Sequence, residues 1–79
     1  MKDFPIVDLY SQREAVRNHV SGWTQSEVLG WLANRGRLST RQAAHGPAVF
    51  WFESSAGIES SFFFKDGDLV FLGDHSTLP

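Results

Sequence analysis

Residues 47–73 have the sequence PAVFWFESSAGIESSFFFKDGDLVFLG, and this stretch decides the fold class. Aromatic and β-branched residues are concentrated in three short runs, and turn-forming residues separate the runs. The predicted strands are Ala48–Glu53, Glu59–Lys65 and Leu69–Leu72. Ser55-Ala56-Gly57 joins the first two strands, and Asp66-Gly67 joins the last two because this dipeptide suits a type I′ turn. The stretch therefore predicts a three-stranded antiparallel sheet.

Apolar residues occupy both faces of this predicted sheet. Cross-strand pairing through these turns gives one face the side chains of Phe50, Phe52, Phe62, Phe64, Leu69 and Phe71. The second face receives Val49, Trp51, Phe63, Val70 and Leu72. An antiparallel sheet with helices on one side usually alternates apolar and polar side chains. We expect helices against the face with more phenylalanines, so the second face needs a separate cover.

Three covers are compatible with the sequence. The first is residues 1–10 or the tail, folded over the second face. The second is a protein partner or a second copy of the chain, and the third is a small apolar ligand. Large exposed apolar patches on soluble proteins generally mark interaction sites. We therefore predict a partner or dimer surface formed by Trp51, Phe63, Val70 and Leu72.

Two helix-start signals precede the sheet. Each is a capping box, in which a Ser or Thr hydroxyl and a Glu three residues later bond free backbone N–H groups. Ser11 to Glu14 predicts a helix over residues 11–21, and Thr24 to Glu27 predicts one over residues 24–35. Glycines directly after both segments suit helix ends. For residues 39–45, a single helical turn and an irregular connection both remain open.

The chain is predicted to be one α+β domain with the element order ααβββ. It comprises an extended lead-in (1–10), a helical part (11–46), the sheet (47–73) and a tail (74–79). A chain of 79 residues buries a small core, and the absence of cysteine excludes disulfides and thiolate metal sites. Its eleven aromatic residues favour an aromatic core or a partner subunit as compensation.

Charge and hydropathy bear on location and partners. The net charge of −2 gives no general attraction for nucleic acid or membranes, although residues 1–46 carry +2 and residues 47–79 carry −4. Charged residues interrupt the first twenty positions, which argues against a signal peptide. No apolar window has the length of a membrane span. We predict a cytoplasmic protein without membrane contact.

An alternative function is nucleic-acid binding through Arg35, Arg37 and Arg41. Two helices, a short third helix and a hairpin would be similar in topology to a winged helix. A recognition helix presents several side chains to a DNA groove, whereas the candidate here is barely one turn long. The negative net charge also counts against this function.

No catalytic, metal or cofactor site is predicted. His19, His45 and His75 lack the close spacing of metal ligands. Asp74-His75-Ser76 has the composition of a catalytic triad, but consecutive side chains point in different directions. A minimal enzyme around Asp74 and His75 is therefore the weakest alternative. The sequence predicts a non-enzymatic interaction or regulatory domain that needs no cofactor and binds a protein partner or itself.

Overall fold

Two helices and a four-stranded antiparallel sheet form the fold in the computed structural model, which describes residues 5–41 and 45–74. The elements are, in order, α1 (Arg13–His19), α2 (Gln25–Ala33), β1 (Gly36–Arg41), β2 (Val49–Ser54), β3 (Glu59–Lys65) and β4 (Asp68–Asp74). The strands lie side by side in chain order. The α+β class and the antiparallel sheet are confirmed.

The two hairpins that the sequence predicted are both present. Asp66 and Gly67 have φ values of 53° and 84°, as a type I′ turn requires, and Lys65 pairs with Asp68. In the other hairpin the amide of Ser54 donates to the carbonyl oxygen of Ile58 at 3.0 Å, which closes a three-residue loop. These turns set the register, so the two predicted groups of apolar residues separate onto opposite faces, except that Leu72 falls in a β-bulge and has no cross-strand partner.

The number of strands was wrong, because Gly36–Arg41 forms a fourth strand within the predicted helical part. It pairs along β2 from Gly36 opposite Ser54 to Arg41 opposite Val49. Leu38 is the only large apolar residue of this strand, so the segment lacks the residues that normally indicate a strand. The unpaired backbone groups along the edge of β2 provide its pairing partner instead. Residues 42–44, part of the possible helical turn, lie outside the described residues.

The second capping box is confirmed, and the first is wrong. Thr24 Oγ1 accepts a hydrogen bond from the Glu27 amide at 3.2 Å, and Glu27 Oε1 accepts one from the Thr24 amide at 2.9 Å. α1 instead begins after Gln12, which makes no side-chain capping bond. The Ser11 hydroxyl donates to Asp8 Oδ2 at 2.9 Å. The hydroxyl of Ser11, which the capping box required, is thus bonded to the carboxylate of Asp8 instead.

Replacing Thr24 by Ala should therefore destabilise the domain more than replacing Ser11 by Ala. Thr24→Ala removes a helix cap and is expected to lower the free energy of unfolding by about 1 kcal/mol. Ser11→Ala removes an exposed bond outside the helix and should have a smaller effect. Urea denaturation of both variants checks the difference. Equal losses would show that the two hydroxyls have equivalent roles.

The core lies on one face of the sheet. It consists of Ile6, Leu9, Val16, Val20, Val28, Trp31, Leu32, Phe50, Phe52, Phe62 and Leu69. Ile6 and Leu9 belong to this core and are 2% and 0% exposed, so residues 5–10 pack with the helices. Arg17 Nε donates to the Leu69 carbonyl oxygen at 3.1 Å and ties α1 to the edge strand β4. The described part of the lead-in therefore does not cover the second face.

Candidate interaction surface

The sheet face away from the helices is termed the open face. Alternation along the paired strands assigns to it Arg37, Ser39, Arg41, Val49, Trp51, Glu53, Glu59, Ser61, Phe63, Lys65, Asp68 and Val70. Three of the four predicted partner-binding residues, Trp51, Phe63 and Val70, are among them. The structure thus brings these three to one surface, while Leu72 lies in a β-bulge and has no cross-strand partner that assigns it to a face.

An apolar band crosses the middle of the open face. Phe63 of β3 pairs with Val70 of β4, and Trp51 of β2 pairs with Ser61 of β3. Trp51, Phe63 and Val70 are half-buried. Leu72 is the extra residue of the β-bulge in β4, between Phe71 and Gly73, and is 52% exposed. These side chains stay outside the core cluster, so their apolar surface is only partly removed from water.

Two arginines of β1 extend this surface. The Arg41 Cζ lies 4.6 Å from the centroid of the Trp51 ring, a cation–π contact. Arg37 Nη1 lies 3.9 Å from Glu53 Oε1, and both side chains are solvent-accessible, so this ion pair adds little stability. Sequence reasoning missed this neighbourhood because it did not predict β1. The alternation of polar and apolar residues in Arg37-Leu38-Ser39 was the available signal.

Arg35 is separate from the other two arginines. Its Nη1 donates to the Trp31 carbonyl oxygen at 2.8 Å, and its Cζ lies 4.4 Å from the centroid of the Trp31 ring. A cation at this position is favourable beside the carboxyl end of α2. The predicted cluster of Arg35, Arg37 and Arg41 is thus divided between a helix end and the open face. In the described ranges these arginines lie on no recognition helix, and nucleic-acid binding stays a prediction.

The charges of the open face are balanced. The open face carries three cationic and three acidic residues. The cationic residues are Arg37, Arg41 and Lys65, and the acidic ones are Glu53, Glu59 and Asp68. Nucleic-acid surfaces rely on an excess of positive charge. Trp, Phe and Arg, which this face carries, are residue types that are enriched in protein–protein interfaces.

A separate cleft of about 450 Å³ lies between the α1–α2 loop and the β3–β4 hairpin. Its apolar wall includes Trp23 and Phe64, and its charged groups are Arg17 and Asp68. Arg17 is already bonded to the backbone of β4. Small-molecule sites usually combine an apolar wall with several convergent polar groups. This cleft lacks that convergence.

The candidate metal and catalytic residues are not brought together within the described residues. His19 stacks on Trp31 with ring centroids 4.8 Å apart and contacts the edge of Trp23 at 5.4 Å. Residues 5–41 and 45–74 contain no group of three His, Asp or Glu residues that could hold a metal ion. His75 and Ser76 lie outside the described residues. Residues 75–79 of the tail do so too, and with them the prediction that the tail covers the second face.

Neither described helix is long and apolar enough to cross a membrane. Comparison with known proteins found no matching family model, no matching curated protein and no matching solved structure.

Proposed function

We propose that the chain is a small non-catalytic interaction domain that associates with a second copy of itself through the open face. The observation that carries this proposal is the apolar band of Trp51, Phe63 and Val70 on the side of the sheet opposite the helices, with the exposed Leu72 in the adjoining bulge of β4. Burial of apolar surface contributes about 25 cal/mol for each Å² removed from water. Covering this band would therefore stabilise an associated state.

The composition of the open face supports a protein as its occupant. Trp51 and Phe63 offer large rigid contact surfaces, and Arg41 lies over the Trp51 ring. Tryptophan, tyrosine and arginine contribute most of the binding energy in many protein interfaces. The charged residues at the margins of the band suit the polar rim that surrounds such a contact.

The balance of charge supports a second copy as the partner. A two-fold axis brings the same patch of both subunits together, so the patch must be complementary to itself. A surface with three cations and three anions can satisfy this condition, whereas a surface of one sign would repel its copy. Four strands of six residues cover roughly 400 Å² in plan, which is less than the ~800 Å² per partner of a standard interface. The expected dimer is therefore weak.

Replacing Leu72 by Glu tests the proposal. Leu72→Glu puts a charge beside the apolar band and is expected to abolish the concentration-dependent dimer in sedimentation equilibrium. Val7→Glu is the matched control, because Val7 is 51% exposed and Leu72 is 52% exposed, while Val7 belongs to the segment that precedes α1. Far-UV circular dichroism verifies that both variants are folded.

Two results would contradict the proposal. One is a wild-type protein that stays monomeric over the whole accessible concentration range. The other is equal dimerisation of Leu72→Glu and the wild-type protein. Loss of the dimer in Val7→Glu alone would place the contact on the helical side instead.

A further inference from the structure

We infer that the two copies pack with β3 antiparallel across β3, so that Glu59 of each copy meets Lys65 of the other. This inference rests on the proposed function, because it specifies the arrangement of the dimer formed through the open face. Glu59 and Lys65 are the residues that select this arrangement over the other two-fold packing of the same faces.

The distribution of charge along β3 is the first support. Glu59, Ser61, Phe63 and Lys65 alternate along one side of the strand and point to the open face. Glu59 and Lys65 are exposed at opposite ends of β3. Neither takes part in an ion pair with another described residue. Both charges are therefore available to a partner.

The position of β3 in the sheet is the second support. β3 lies between β2 and β4, so it runs through the interior of the open face. A two-fold axis perpendicular to the strands, at the level of Phe62, maps β3 onto its own reversed copy. This operation places residue 59 over residue 65 of the second copy and generates two identical opposite-charge pairs. Opposite charges at matched positions specify orientation in associating surfaces.

The shapes along the same axis are compatible. The axis places Phe63 over the position of Ser61 in the second copy, a small residue that its own neighbours already cover to 2% exposure. On β2, which pairs with β3 through Trp51 and Ser61, it places Trp51 over Val49 of the second copy. Alternation of large and small side chains lets two facing layers interdigitate. Packed sheets of this kind are about 10 Å apart.

The rival packing has its two-fold axis parallel to the strands. It places β2 of one copy over β3 of the other without reversing them. Glu53 and Glu59 occupy paired positions in the sheet, so these two carboxylates would face each other across the interface, twice. Like charges held opposite each other are destabilising. The antiparallel arrangement avoids this repulsion.

Charge reversal tests the inference by sedimentation equilibrium at low salt. Glu59→Lys and Lys65→Glu should each weaken the dimer about tenfold, because each reversal turns two attractions into two repulsions. The double variant Glu59→Lys/Lys65→Glu restores both pairs with exchanged charges and should dimerise like the wild-type protein. Glu14→Lys changes the net charge as Glu59→Lys does, but on the exposed surface of α1, and should have no effect.

The outcomes separate this inference from the proposed function. Stronger dimerisation of Glu59→Lys, with no effect of Lys65→Glu, would establish the rival packing and overturn the inference. A dimer that Leu72→Glu abolishes but that none of the charge reversals changes would leave the open face as the contact and refute the Glu59–Lys65 pairing. A monomeric wild-type protein would overturn both.

Discussion

Replacing Phe62 by Ala is expected to lower the free energy of unfolding by about 3–5 kcal/mol. A domain of this size has a total stability of roughly 4–12 kcal/mol. The loss therefore equals about a third of the stability at the upper end of this range and the whole of it at the lower end. The Phe62→Ala variant should unfold at a clearly lower urea concentration than the wild-type protein.

The reason is the position of Phe62 at the centre of the aromatic core. The side chain is 0% exposed. Its ring stacks on Phe50 with centroids 5.4 Å apart, and the rings of Phe64 and Phe71 lie 6.0 Å and 6.1 Å away. Truncation to alanine would open a cavity that three neighbouring rings line. Rings held by three adjacent strands cannot collapse easily into that space.

Phe63→Ala is the matched control, because it removes the same side chain from the next position of β3. Phe63 points to the open face and is only half-buried, so less apolar surface is removed from the fold. Phe63→Ala is expected to lower the free energy of unfolding by about 1 kcal/mol. Urea denaturation followed by circular dichroism, at protein concentrations that favour the monomer, measures both values. Similar losses would mean that the two sheet faces are equally buried, which would contradict the description of the open face.

The pairing of β2, β3 and β4 could be predicted because its signals are local. Asp66-Gly67 determines the turn type, and the turn then fixes which residues face each other. The division of Phe62 and Phe63 between opposite faces follows from that register alone. Membership of Trp51, Phe63 and Val70 in one surface could therefore be obtained from the sequence.

β1 was not predicted, because its stability comes mainly from its neighbour and its one local signal, the alternation in Arg37-Leu38-Ser39, is short. The sequence Gly36-Arg37-Leu38-Ser39-Thr40-Arg41 has one large apolar residue, and its pairing depends on the exposed edge of β2. For the same reason, the contact between Arg41 and Trp51 could not be foreseen. The first capping box failed because Asp8, outside the four-residue motif, engages Ser11. Both errors arose where a partner outside the local pattern determined the structure.

Replacement by alanine is expected to change the stability of the domain in opposite directions at Gly36 and Gly30. Gly36 was expected to follow the end of the second helix, but it begins β1 instead, while Gly30 lies inside α2. A Cβ atom at Gly36 would collide with the Glu53 carbonyl oxygen and lie 2.7 Å from Cζ of the Phe52 ring, whereas a Cβ at Gly30 has no such neighbour within 4 Å.

Gly36→Ala is therefore expected to destabilise the domain by about 1–3 kcal/mol, the usual cost of overpacking. The Glu53 carbonyl belongs to the backbone of β2, and Phe52 is 0% exposed, so neither can move without disturbing the sheet or the core. Gly30→Ala should stabilise the domain by about 1 kcal/mol, because alanine replaces glycine inside α2 in open space. Melting temperatures of the two variants provide the comparison.

The opposite signs make this comparison informative about β1 itself. If Gly36 were a helix terminus exposed to water, its replacement by alanine would not meet the backbone of another strand. A Gly36→Ala variant as stable as the wild-type protein would therefore argue against the pairing of β1 with β2. It would also remove Arg37 and Arg41 from the open face, since only that pairing places them beside Glu53 and Trp51.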